Sequence, residues 1–154
     1  MRRRRHRDPE RRPAPTWPQD VGSKPRVLIE HADPVARQVL ADGLRARGYA
    51  AVTCGGPRAV GLAEVSCPVL RQQRCPGVDG ADVVACGLPL ASPLHGIIVR
   101  RIARNRGDRS LIVEGAAREV EEHLGEYRVD GIVAPLAVES LVLALEELNN
   151  VGRS

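Results

Sequence analysis

Residues 26–49 read RVLIEHADPVARQVLADGLRARGY, and two periodicities meet inside this stretch. Residues 26–29 form a short, apolar, β-branched run, the pattern of a strand buried on both faces. Asp33-Pro34 follows, an N-cap residue with proline at the first helical position. Val35, Val39, Leu40 and Leu44 then recur at helical spacing, and Gly48 closes the helix. A buried strand leading straight into an amphipathic helix is the opening unit of an α/β domain.

The pattern repeats along the chain. Strands are expected at residues 50–53, 82–86, 110–113 and 131–133. Helices are expected at 57–65, at 92–104 with Leu94, Ile97, Ile98 and Ile102 on one side, at 116–127 with Val120, Leu124 and Tyr127 inward, and at 138–148. The last carries Val138, Leu141, Val142, Leu145 and Leu148 as its stripe. Residues 66–80 (SCPVLRQQRCPGVDG) have no period and read as a loop. Five strands alternating with five helices predict an α/β fold, a five-stranded parallel sheet with helices on both faces, in one domain from 25 to 149. Ligands gather at the carboxyl ends of such strands, which directs attention to residues 30–33, 54–56, 86–89, 114–116 and 134–135.

Composition limits the alternatives. The 154 residues are 43% apolar, with no Phe, one Trp and two Tyr, so the core is aliphatic. Residues 1–24 carry a net charge of +5 and the remainder sums to −1, so the basicity belongs to the tail. That Arg- and Pro-rich tail is expected to be disordered, with at most weak, nonspecific contact to nucleic acid; residues 150–154 form a second short tail. No apolar run is long enough to span a membrane. The arginine run at 2–5 is not followed by the apolar segment of a secretory signal, so a cytoplasmic protein with mostly reduced thiols is expected.

In the order and spacing of three segments, the chain resembles the response-regulator receiver family, a flavodoxin-like fold. These are residues 26–49, residues 82–91 (DVVACGLPLA) and residues 131–135 (GIVAP), the last with the proline that the family usually places after a cis bond. The resemblance covers residues 25–149. It implies a pocket in which a strand-three Asp accepts a phosphoryl group, two acidic residues hold Mg²⁺, and a Lys and a hydroxyl stabilise the phosphoryl oxygens. Each of those positions is changed. The phosphoacceptor position falls on Gly87, the acidic pair on His31 and Ala32 between Glu30 and Asp33, the hydroxyl on Gly115, and the Lys on Ala134, before Pro135. The aromatic switch position falls on Gly131 or Ile132. The sole lysine is Lys24, so no small shift of register restores the ammonium. The resemblance therefore implies a degenerate, non-catalytic pseudo-receiver from a two-component phosphorelay, needing no cofactor. It would bind a protein partner, or a second copy of itself, through its helix 4–strand 5–helix 5 surface, with no second domain after the last helix.

Four cysteines remain. Cys67 and Cys75 stand in a CP…CP pattern inside the 66–80 loop. They can be plain reduced thiols, a redox disulfide closing the loop, or a metal pair, although C-x₂₋₄-C spacing is lacking and no metal ligand set is assigned. Arg71 and Arg74 would lower a thiol pKa there. A cysteine-based redox or metal sensor is thus the alternative function. Cys54 and Cys86 should end strands two and three near His31, as small core residues. Glu30 and His31 read as polar remnants of the pocket, or as an acid–base pair. His95 and His123 read as surface residues.

Overall fold

The computed structural model describes residue 17 and residues 24–57, 59–60, 64–65 and 67–152. A five-stranded sheet is built from β1 (Arg26–His31), β2 (Ala50–Cys54), β5 (Val83–Gly87), β6 (Ser110–Glu114) and β7 (Gly131–Val133). Its order is β2-β1-β5-β6-β7, and every pairing is parallel. Between β2 and β5 lie the short antiparallel strands β3 (Ala59–Val60) and β4 (Glu64–Val65) and the one-turn helix α2 (Pro76–Asp79). The other helices are α1 (Pro34–Ala46), α3 (Pro93–Arg104), α4 (Ala117–Leu124) and α5 (Val138–Val151).

Local chemistry sets these bounds. Asp33 Oδ1 accepts the Val35 and Ala36 N–H groups at 2.8 and 3.4 Å, the N-cap that the sequence announces. Gly48 adopts φ 84° just past α1, a conformation that favours glycine. β1 is buried from Val27 to Glu30 because helices cover both faces of the sheet. One face packs against α1 and α5, through Leu40, Leu44, Leu141 and Leu145. The other packs against α2, α3 and α4, through Val78, Ile98, Ile102, Val120 and Leu124. Gly43 is the close-approach point of α1 and α5, where an added Cβ would stand 2.5 Å from Val138 Cγ2. Ion pairs tie the amino ends of the strands: Arg26 to Asp82, and Arg106 at 2.6 Å to Asp130, whose Oδ2 also accepts the Leu111 N–H.

Several expectations need correction. No helix covers the described part of residues 57–65, where β3 and β4 stand instead. A nine-residue helix with a central glycine and a β-branched residue at its end gains little. The 66–80 loop is partly helical, because Pro76 starts α2 at its first helical position. Val35 and Val39 are exposed at 69% and 58%, and the buried stripe of α1 is Leu40, Ala41 and Leu44. Leu94 is also exposed; Val99 and Ala103 share the buried side of α3 with Ile98 and Ile102. Helix α5 runs to Val151, beyond the expected stop at 148. The expected disorder of residues 1–24 lies mostly outside the described residues, but Trp17 and Lys24 are ordered. Trp17 packs against the α2–α4 side of the core and donates its indole N–H to Gly77 O at 3.0 Å. Lys24 Nζ donates to Arg47 O and lies 4.7 Å from the centroid of the Tyr49 ring. Among the described residues no helix is long and apolar enough to cross a membrane.

Candidate functional site

The strand order reverses between β1 and β5, and the crevice at their carboxyl ends is where this architecture places ligands. His31 and Gly87 are register partners there. His31 Nδ1 accepts the Asp33 N–H at 3.0 Å, which fixes the ring. A Cβ added to Gly87 would stand 2.6 Å from His31 Cδ2 and 3.1 Å from Leu136 Cδ2. The space over position 87 is therefore filled by an imidazole and an isobutyl group.

Around this point the rim is poor in anionic groups. Ala32 is exposed and has no ligand atom. The carboxylate of Asp33 is engaged in capping α1. Arg37 Nη1 donates to His31 O at 2.8 Å and presses on Gly55, whose added Cβ would lie 2.3 Å from that nitrogen. Gly115 donates its N–H to Val133 O at 3.0 Å. The Ala134-Pro135 peptide is cis, as the resemblance implies. The Mg²⁺ ion of a working receiver pocket needs converging oxygen ligands. A guanidinium, an imidazole and a capping carboxylate do not supply them, so the residues present do not fit that ion.

Two further residues close the rim: Glu114, inside the stretch 114–116 that the sequence points to, and Ser140, which lies outside every such stretch. Glu114, at the end of β6, accepts the Leu136 N–H on Oε2 at 2.5 Å, joining β6 to the turn after β7. Ser140 Oγ accepts the Ala137 N–H and donates to Pro135 O, fixing the same turn at the start of α5. The acidic end of SLIVE was the available signal for Glu114. Leu136 carried none, since nothing local in sequence points it at Gly87.

Glu30 does not join this rim. As the residue before His31 it points to the opposite side of the sheet. It is 3% exposed, and its Oε2 has no hydrogen-bond partner. Burial pushes its pKa from 4.5 up to about 7. Its register partners are Cys54 on β2 and Cys86 on β5, so those two cysteines flank Glu30 and not His31. Cys67 and Cys75 are buried in the same core cluster, and all four thiols are unbridged. Burial raises the pKa of each thiol, Cys54 to about 12. This reverses the expected effect of Arg71 and Arg74, whose side chains are exposed while the sulfurs turn inward. His95 is half-buried, with Nδ1 enclosed and unpartnered, and not a plain surface residue. His123 is also half-buried.

No family model and no curated protein matches the sequence. Solved structures do match the fold. A response regulator receiver domain protein from Clostridium thermocellum superposes with a TM-score of 0.58 at 14% identity, over 83% of this chain and 96% of that one. The chemotaxis protein CheY4 of Vibrio cholerae gives 0.57 at 15% identity, over 81% and 98%. The response regulator DrrB of Thermotoga maritima, an OmpR/PhoB homolog, gives 0.58 at 16% identity, over 84% of this chain and 54% of that longer one. The chain has the receiver fold.

Proposed function

We propose that this protein is a receiver-like module of a two-component signalling system that acts without aspartyl phosphorylation and without catalysis, by binding another protein chain. The observation that carries this reading is the filled space at Gly87. Where a phosphoacceptor carboxylate would stand there is no side chain, and the His31 ring and Leu136 occupy its volume. The absence of an ammonium at Ala134 and of a carboxylate pair at His31 and Ala32 agrees with it. Such a module signals through its surface. The face of α4, β7 and α5 suits this role: β7 is an edge strand, and Ile132 and Leu143 are exposed there at 45% and 61%. A partner protein or a second copy of the chain would cover them.

The test is to treat the full chain with a small phosphodonor such as acetyl phosphate, with Mg²⁺, and to follow intact mass and association state together. The expected result is no phosphoryl adduct and unchanged association, with association weakened by Ile132→Glu or Leu143→Glu. An acid-stable or hydroxylamine-labile phosphoryl adduct that alters association would overturn the reading.

A further inference from the structure

A groove of about 770 Å³ opens at the far end of the sheet from the rim, beside the amino ends of β5 and β6. Its volume lies within the range of small-molecule sites. Three segments distant in sequence meet there: residues 69–79, the last turn of α3, and the turn before β6. Each brings arginine. Arg74 comes from the first, Arg101 and Arg104 from the second, and Arg109 from the third. Asp79 is the one acidic residue among the described residues that line the groove, which leaves a surplus of three positive charges. Residues 25–154 as a whole sum to −1, so this charge is concentrated locally.

The needs of the fold account for part of this set. Arg101 Nη1 donates to the Val69 and Leu70 carbonyls at 3.1 and 2.6 Å, which holds that segment against α3. Arg109 Nη2 donates to Asp79 O at 2.8 Å, and its Nη1 donates to Arg106 O at 3.2 Å. Such bonds fix a guanidinium without neutralising it, since a carbonyl carries no net charge. Arg109 does have a carboxylate nearby, Asp79 Oδ1 at 3.8 Å. Among the described residues no carboxylate stands within ion-pair distance of Arg74, Arg101 or Arg104. Arg104 is exposed and donates to the Tyr127 hydroxyl at 3.2 Å. Arg74 is exposed and bonds to none of the described residues. A basic last turn complements the dipole of α3. That explains Arg101 and Arg104 but neither Arg74 nor Arg109.

The chemistry of the lining selects an anion. Guanidiniums already held in place lose little freedom on meeting a ligand. Gln72, Gln73 and Asn105 add neutral donors. A phosphate carries close to two charges and three acceptor oxygens on one centre, so it can meet several guanidiniums from different directions. A carboxylate offers one charge in one plane. Val69, Val78 and Ile102 give the groove an apolar wall as well, against which the organic body of a ligand can pack. We propose that this groove binds a small molecule with two or three linked phosphates on an organic body, of the nucleoside polyphosphate class. The site lies at the opposite end of the strands from the rim, so it stands or falls separately from the reading above.

The experiment titrates the full chain with ATP in a calorimeter, free of divalent cations, which would neutralise the phosphates. One ATP per chain is expected, with affinity falling several-fold as salt rises from about 50 to 300 mM. Arg74→Gln and Arg104→Gln alter exposed side chains outside the core, and each should weaken binding by about 10-fold. Arg118→Gln, on α4 outside the groove, should leave it unchanged. The arginine run at 2–5 also attracts phosphates, so a full chain with those four residues replaced by glutamine is the second variant, and it should bind ATP as the wild type does. Loss of binding with that run, or full binding by the Arg74→Gln and Arg104→Gln chains, would overturn the proposal. So would no binding at all, citrate or tripolyphosphate binding as tightly as ATP, or a single-stranded oligonucleotide binding more tightly.

Discussion

Ile29 and Glu30 are neighbours in β1, both almost wholly enclosed, and they face opposite sides of the sheet. On the side of Ile29 the core is aliphatic apart from Tyr49: Val27, Leu40, Leu44, Ala85, Ile112, Leu141 and Leu145. On the side of Glu30 the core holds or touches all four cysteines of the chain, together with a carboxyl whose Oε2 has no partner. The first side needs only shape and transfer from water, whereas the second tolerates polar atoms that a purely structural core would exclude. What separates the sides is therefore the chemistry that each can accept.

The sharpest way to break that contrast is to move the acid across the strand. Ile29→Glu would place a carboxyl among aliphatic groups, in the cluster that holds no cysteine. A loss on the order of 3–5 kcal/mol, or no folding at all, is expected from an uncompensated buried charge. Urea unfolding of the purified variant measures it. A variant as stable as the wild type would show that the two sides are equally permissive. Next in size, Leu141→Ala removes a fully buried side chain from the contact of α5 with the sheet. About 3 kcal/mol should be lost, as for other leucine truncations in tight cores, visible as a lower urea midpoint at unchanged slope.

The acid on its native side has a pH signature. The pKa of Glu30 is near 7 when folded, against 4.5 as its ordinary value. Below 4.5 the group is protonated in both states and contributes no difference. As pH rises toward 7 the unfolded chain releases its proton and the folded chain keeps it, so stability falls by an amount on the order of 3 kcal/mol. Glu30→Gln should flatten this fall, in denaturation curves taken between those two pH values. The same fall in the variant would assign it to another group.

The parts of this molecule that were legible from sequence are those written in local patterns. The five-stranded parallel sheet, the Asp33-Pro34 cap, the four long helices and the proline at 135 each depend on residues within a few positions of one another. What escaped required distance. Val35 and Val39 have the right period for α1, yet which side of a helix is buried depends on the neighbours it meets. Leu136 covers Gly87 from 49 positions away. The four cysteines are separated by segments of irregular length, so no motif spacing could announce that they share one core cluster. A strand ending at 29, as its apolar run suggests, would put Glu30 on the rim. β1 continues to His31, and that alternation turns Glu30 inward.

The smallest effect concerns the other carboxylate of this stretch. Glu30 and Asp33 are three residues apart, one enclosed with its Oε2 unpartnered and the other exposed with two amides on Oδ1. If Asp33 serves only to start α1, then Asp33→Ala should cost about 1 kcal/mol and Asp33→Asn almost nothing, since Asn caps as well as Asp. If instead Asp33 retained a magnesium-binding role from a working receiver pocket, Asn would fail where Asp succeeds. The two substitutions, compared by thermal unfolding with and without Mg²⁺, separate these cases. Equal stability of Asp33→Asn and wild type in both conditions is expected, because a carboxylate already engaged by the amides of Val35 and Ala36 has little left to offer a cation.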